Sequence, residues 1–329
     1  MKKLYTQALA VFSLAFLLTA CGGNPDESSA AQNAAEQAPA EPAPPAAPPA
    51  PTLDEVLAAQ PEDAKARYPS RRPKETLEFF EVKAGQVVVE VLPGSSGWYS
   101  KILLPYIGSE GRLIAVNYTD AMWPKFGGMS EEQINKMKTW TTDFVRDAEP
   151  WRGERGAPVN AFAFGSMPEN MKGTADVVLL IRALHNLARF ENDGAFLSAA
   201  LADVHAVLKP GGIVGIEQHE AREEMPDEWA NGNAGYLKRS YVTEKMQAAG
   251  FELVSAAEFN QNPKDQPTTS DFVWRLPPSY AAAEGDAGKI AAMDAIGESN
   301  RMMLKFRKVE TPPAAATAPA TSQEDSPAA

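Results

Sequence analysis

The stretch VVVEVLPGSSGWYSKILLPY, residues 87–106, decides the fold. Val87, Val88, Val89 and Val91 form a short β-branched run that reads as a buried strand. Pro93, Gly94, Ser95, Ser96 and Gly97 then make a turn, and the apolar residues from Trp98 onward predict a helix over 98–107. A strand that feeds a glycine turn and a helix is a common grip for a nucleotide-like ligand, because the helix start offers unpaired N–H groups and a positive dipole end. The same residues also fit a connection with a packing role alone.

Outward from this unit, short apolar runs alternate with longer amphipathic ones, the pattern of an α/β domain with a mostly parallel sheet. Strands are expected at 86–92, 112–117, 160–164, 175–181 and 212–218, each bounded by Gly, Pro or polar residues. Helices are expected at 98–107, 130–148 and 193–208, the last with Leu197, Leu201, Val204 and Leu208 on one face. A helix over 242–249 and strands over 251–257 and 301–307 complete seven strands. RMMLKFRK alternates, as an antiparallel strand near an edge does, whereas the first five runs are continuous and suit strands covered on both faces.

The two ends of the chain differ from this centre. Lys2 and Lys3 precede an apolar run from Ala8 to Leu18, and Leu18-Thr19-Ala20-Cys21 resembles the lipobox of bacterial lipoproteins. Residues 1–20 are therefore expected to be a signal peptide and Cys21, the single cysteine, to carry the acyl chains. Gly22 after it fits sorting to the outer membrane, facing the periplasm. Residues 21–52 are an Ala/Pro-rich tether, 53–310 the folded domain, and 311–329 a second Ala/Pro-rich segment. The net charge of −12 argues against nucleic acid as a partner, since phosphate binding needs a basic footprint.

The order of these elements, with ADVVLLIRALHNL, VLKPGGIVGIEQH and MQAAGFELV at their spacings, resembles the class I S-adenosylmethionine-dependent methyltransferases. The turn and the terminal NRMMLKFRK are similar to a bacterial group of methyltransferases with a Pro-Gly-Gly-Gly-Trp-Tyr turn. The resemblance implies a Rossmann-like class I methyltransferase fold: a seven-stranded, mostly parallel sheet with an antiparallel last strand and helices on both faces. It implies S-adenosylmethionine as cofactor, bound by Glu90, Pro93, Gly94, Ser95, Ser96, Gly97, Trp98, Asn117, Gly165, Ser166 and Arg182. Gly94 and Gly97 would allow a close approach, the N–H groups of Trp98 and Tyr99 would meet a carboxylate, and Glu90 would hold the turn and face an ammonium group.

Two positions depart from the family pattern. Leu92 stands where the first glycine is usual, in a turn one residue longer than the group's. Asn117 stands where an acid accepts the ribose hydroxyls; Asp120 either substitutes for that acid or is a turn residue. His185, after the fourth strand, is the candidate catalytic acid or base, or else a packed residue. Glu217 and His219 either shape a substrate pocket or simply end a strand, and His205 reads as structural. The three histidines do not share a metal-ligand spacing, so no metal is expected.

No GxSxG, HExxH, CxxC or Walker pattern occurs. Methyl transfer needs no nucleophile of the protein's own, since it gains most from positioning. The resemblance thus points to a tethered methyltransferase of a small-molecule substrate. A ligand-binding lipoprotein with the same fold, or a structural one, remains open beside it. The long segment 262–300 is either a cover for the substrate or a surface embellishment.

Overall fold

The computed structural model describes residues 50–309. The expected signal peptide, Cys21, the tether up to residue 49 and the tail from 310 onward lie outside the described residues.

The strands are β1 (Val87–Val91), β2 (Arg112–Asn117), β3 (Val159–Ala163), β4 (Ala175–Ile181), β5 (Leu208–Ala221), the two-residue β6 (Leu237–Lys238), β7 (Phe251–Ala257) and β8 (Arg301–Lys308). They lie in the order β3-β2-β1-β4-β5-β8-β7, with β6 paired to the end of β5. The first five are mutually parallel, and β8 runs antiparallel between β5 and β7. This is the sheet of the Rossmann-like class I methyltransferase fold. Strand order reverses between β1 and β4, and that switch point is where open α/β sheets leave a crevice.

Alternation along each strand sends successive side chains to opposite faces. Val89, Val91, Val178 and Leu180 join one apolar cluster with residues of helices Leu184–Arg189, Phe196–Val207 and Arg239–Ala248. Val88, Val177 and Leu179 join the other, under helices Leu53–Ala58, Pro73–Phe79, Ser100–Ile107 and Trp140–Arg152. Ile102, Leu103, Leu104 and Ile107 of the helix after the turn are fully buried. Each such side chain contributes about 1.5–3 kcal/mol, so this short helix is held by packing rather than by propensity.

All four expected helices have different bounds, the one expected over 242–249 being Arg239–Ala248. The run 130–148 is two helices, Glu131–Lys138 and Trp140–Arg152, divided at Thr139, whose hydroxyl donates to Asp143 Oδ2 at 2.7 Å. The run 193–208 begins only at Phe196, because Ala195 is left-handed (φ 53°) and Glu191 Oε2 caps Leu197 N at 2.7 Å. The helix after turn 92–97 starts at Ser100 instead of Trp98.

Segment 262–300 is tied to the domain at several points and carries its own helix, Ala287–Ile296. Buried Asp265 accepts from Tyr236 Oη at 2.9 Å, Arg275 Nη2 at 3.0 Å and Asn300 N at 2.9 Å. Asn262 Nδ2 donates to the carbonyls of Ile296 at 2.8 Å and Glu298 at 2.6 Å. Trp229 Nε1 also donates to Asp271 O at 3.1 Å and Val273 N to Ala234 O at 2.9 Å, and the segment lies as a fixed cover over the carboxyl ends of β4 and β5.

Candidate functional site

β1 and β4 end alike. One residue past each strand the backbone turns left-handed at a side chain other than glycine: Leu92 has φ 54° and Arg182 has φ 55°. Leu92 N still donates to Val116 O of β2 at 2.7 Å, and Arg182 N donates to Glu217 O of β5 at 2.6 Å. The two chains therefore part in opposite directions, one toward β2 and the other toward β5. Leu92 keeps the conformation that glycine would adopt freely, at a cost of roughly 1–2 kcal/mol.

A cleft of about 300 Å³ opens on the β1/β2 side. Leu92, Gly94, Ser95 and Asn117 form its floor, and Trp123, Met137, Trp140 and Trp151 supply much of its wall. Gly94 has φ 70°, and a Cβ there would meet no atom within 4 Å. Gly97 is different: a Cβ would lie 2.3 Å from the ring of Trp151, so this glycine admits the indole. Among the described residues nothing accepts from the backbone N–H groups of Gly94, Ser95, Ser96 or Gly97. They form a short row of open donors beside the cleft.

Asn117 is buried, and its Oδ1 accepts from Tyr118 N at 2.9 Å. Its amide NH₂ is the group left to meet a ligand. Asp120 opens the 3-10 turn Asp120–Phe126, is exposed, and stays out of the cleft lining.

Several expected site residues are placed elsewhere. Glu90 lies on the face of the sheet toward helix Ser100–Ile107, where its carboxylate accepts from Ser100 Oγ at 2.6 Å. Burial pushes its pKa up to about 7, only partly opposed by that bond. It braces the turn from below, and the acids on the cleft wall are instead Asp143 and Asp147. Trp98 packs edge-on against Tyr68 with centroids 6.1 Å apart, and the Arg71 guanidinium lies 4.5 Å from its ring centroid. Pro93, Ser96, Gly97 and Trp98 likewise do not line the cleft. Gly165 and Ser166 are also drawn away: Gly165 N donates to Asp203 Oδ2 at 2.6 Å and Ser166 Oγ to Ala163 O at 2.7 Å. Phe164 beside them is turned into the core.

The other side of the switch point holds a second pocket, of about 340 Å³. Leu92 lines both pockets and is the partition between them. Arg182, His185, Asn186 and His219 enter the second pocket from the ends of β4 and β5. Val273, Trp274, Leu276, Pro277 and Pro278 close it from the fixed cover. His185 stands 5.6 Å from both His219 and Trp274 by ring centroids, and its Nδ1 is 3.4 Å from Gln218 Oε1. Burial and then the nearby Arg182 and Arg189 cations lower its pKa to about 4, despite the Gln218 contact. His219 is lowered as well, by burial, His185 and the cations of Arg182 and Arg301, and its Nδ1 lies 2.6 Å from Ser299 Oγ. Burial and the nearby cations thus disfavour the protonated form of both rings. His205 lies apart, with its ring centroid 5.4 Å from that of Phe251.

Behind this pocket is a buried cluster of ions. Glu298 accepts from Arg67 Nη2 at 2.5 Å and from Arg301 Nη1 at 2.8 Å, and these cations outweigh burial and lower its pKa. Arg301 Nε approaches Glu217 Oε1 to 3.3 Å but without hydrogen-bond alignment, and Glu217 finds no donor among the described residues. Arg71, also buried, meets no side-chain acceptor among the described residues, and desolvation followed by the Arg182 and Arg67 charges lowers its pKa to about 9. Four arginines thus face two glutamates. No group of three or more His, Cys, Asp or Glu among the described residues is arranged to hold a metal ion.

No protein-family model matches this chain. No curated protein matches it either. Among solved structures it is similar to the 4+2 cyclase SpnF, at 17% identity over 73% of this chain and 80% of that one, with a TM-score of 0.45. It is similar to a SAM-dependent methyltransferase from Aquifex aeolicus, at 13% identity over 78% and 98% of the two chains, with a TM-score of 0.43. A third is the Burkholderia thailandensis 1,6-didemethyltoxoflavin-N1-methyltransferase with bound 1,6-didemethyltoxoflavin and S-adenosylhomocysteine, at 15% identity over 80% and 93%, with a TM-score of 0.40. Similarity this remote decides nothing about the chemistry, which the side chains must supply.

The walls of both pockets were only partly legible in sequence. Trp140, Phe144 and Trp151 recur on one side of a helix, a spacing that signals a packed face without saying that the face borders a cleft.

Proposed function

We infer that the protein is an S-adenosylmethionine-dependent methyltransferase acting on a small molecule, with donor and acceptor on opposite sides of Leu92. The observation that carries this reading is the pair of cavities at the switch point, sharing one residue as their partition. The residues of the β1/β2 cleft suit the donor. The open N–H groups of Gly94 and Ser95 are matched to its carboxylate, the Asn117 amide to a ribose hydroxyl, and the flat apolar wall of Trp123, Met137 and Trp140 to the base. The donor would supply a methyl group on a sulfonium sulfur to an acceptor's lone pair, with the carbon–sulfur pair returning to sulfur and the acceptor's proton released.

The protein's share is then positioning. Segment 262–300 walls the acceptor side through Val273, Trp274, Leu276, Pro277 and Pro278. His185 and His219 face the acceptor there as weakly basic imidazoles that orient it by hydrogen bonding, and its proton leaves to solvent. Methyl transfer between held partners asks for no further group.

The chain is further inferred to be held at the periplasmic face of the outer membrane by lipid on Cys21, a reading supported by its lipobox-like sequence. Titration calorimetry of the full chain in mild detergent tests the donor site. One equivalent of S-adenosylhomocysteine or S-adenosylmethionine should bind, and no heat from either would overturn the assignment.

A further inference from the structure

The second pocket has a polarity that the transfer reaction alone does not require. Arg182 lines it, yet its guanidinium makes no hydrogen bond among the described residues, and its nearest acid is Glu298 at 3.9 Å. That acid is already engaged by Arg67 and Arg301. Arg71, whose charge bears on Arg182, adds to the cations behind the pocket, with Glu298 as their shared acid. Buried and half-buried charges are normally paired, so a surplus of cations at the rim of a pocket is a vacancy in charge rather than in volume.

The backbone points the same way. Arg182 is held at φ 55°, which costs an L-residue roughly 1–2 kcal/mol and which Asn or Gly would adopt more cheaply. Six other residues besides glycine share such a backbone among those described, and what sets Arg182 apart is that the turn fixes a cation at the pocket. Opposite the cation the pocket is apolar and flat, formed by Trp274, Leu276 and the Pro277–Pro278 turn. At about 340 Å³ it exceeds twice the roughly 150 Å³ that holds one benzene ring.

Resting on the assignment of this side to the acceptor, we propose that the pocket takes a planar organic carboxylate of about two rings' size. Arg182 holds the carboxylate, and Trp274 with the Pro277–Pro278 turn flanks the ring system. A guanidinium matches a carboxylate with two parallel N–H donors. A dianion such as a phosphate monoester fits less well, because Glu298 lies within 3.9 Å of the same guanidinium and would repel the second charge.

The test uses the full chain and two isosteric probes, 1-naphthoate and its neutral amide 1-naphthamide, titrated calorimetrically at neutral pH. The carboxylate should bind about tenfold more tightly than the amide. Arg182→Asn and Arg182→Gly, both compatible with the left-handed backbone, should fold and bring naphthoate down to the affinity of the amide. In the same two variants naphthamide should be unaffected, while Trp274→Ala should weaken both probes. Equal affinity for the two probes in the parent, a preference that survives in both Arg182 variants, tighter binding of 1-naphthyl phosphate, or no binding of either probe would each overturn the proposal. S-adenosylhomocysteine binding, measured on the same preparations, separates the two inferences. Donor binding without carboxylate preference leaves methyl transfer standing and removes the anionic acceptor. Carboxylate preference without donor binding does the reverse.

Discussion

Gly94 and Gly97 lie three residues apart in one turn and are required for different reasons, which a pair of alanine substitutions should separate. Both have positive φ, 70° and 55°, so alanine at either costs roughly 1–2 kcal/mol of backbone strain. About 0.4–1 kcal/mol of that is returned by the stiffer unfolded chain. Gly94→Ala meets nothing within 4 Å and should stop there, at about 1 kcal/mol. Gly97→Ala adds a Cβ 2.3 Å from Trp151, and overpacking of this kind adds about 1–3 kcal/mol, for a total of about 2–4. Urea unfolding of the full chain, followed by circular dichroism, reads the difference as a shift in midpoint. Trp151→Ala should absorb most of the Gly97→Ala penalty in a double-mutant cycle, with a coupling of about 1–3 kcal/mol. The functional order is the reverse. Gly94 lines the cleft, so its new methyl group should weaken S-adenosylhomocysteine binding by about tenfold or more although the fold is nearly unchanged. If Gly97→Ala is as mild as Gly94→Ala, Trp151 does not pack where described. If Gly94→Ala leaves donor affinity intact, close approach of a ligand to this turn is refuted.

Two further outcomes are expected. With a folded-state pKa of about 7 against 4.5 ordinarily, Glu90 keeps a proton that the unfolded chain has released, so its stabilising contribution is complete below pH 4.5 and is lost as pH rises through 7. Glu90→Gln should therefore gain on the parent by up to about 3 kcal/mol across that window, and a pH-independent difference would contradict the assignment. Comparison at each pH cancels His185, whose pKa is lowered from 6.5 to about 4 and whose effect in the same range has the opposite sign. Separately, Cys21→Ser should move the protein from the membrane fraction to the soluble one on cell fractionation, and unchanged partitioning would remove the lipid anchor.

The sheet was legible because its parallel strands are short apolar runs with clear punctuation, and all seven expected strands occur within a few residues of their expected bounds, β5 being extended at both ends and the alternating β8 lying between β5 and β7 rather than at an edge. Helix breaks were less so. Nothing in the apolar spacing of 130–148 marks Thr139, whose side chain bonds to Asp143, and Ala195 has no reason in its own chemistry to be left-handed. Helix Ala287–Ile296 buries no residue, so it left no periodic signal. At the site, sequence named Gly94, Ser95 and Asn117, which share one cleft, and His185, which lines its neighbour; it grouped Arg182 with the first set, whereas Arg182 lines the second pocket. It misplaced Gly165 and Ser166, since their contacts to Asp203 and Ala163 depend on a helix more than thirty residues later and on a local turn. Segment 262–300 with Trp274 was expected as a cover, whereas Trp123 and Met137, which close the other pocket, come from segments whose position only tertiary packing fixes.

The Leu92 substitution looked in sequence like damage to a glycine turn, and its surroundings give it a different meaning. β1 and β4 are neighbours in the sheet, and each makes one more ladder bond outward, Leu92 to β2 and Arg182 to β5, before turning left-handed. Glycine at either position would adopt the same backbone without strain but would leave no side chain at the divide. Keeping both side chains costs together about 2–4 kcal/mol, a large fraction of the net stability of an ordinary domain. What each side chain supplies matches that cost in kind. Leu92 walls one pocket from the other at the point where reacting atoms would meet, and Arg182 sets the charge of one side only. Left-handed residues other than glycine also occur at Arg72, Glu81, Ala195, Tyr280 and Glu284, so what marks Leu92 and Arg182 is the wall and the charge they supply at the divide, which glycine would not.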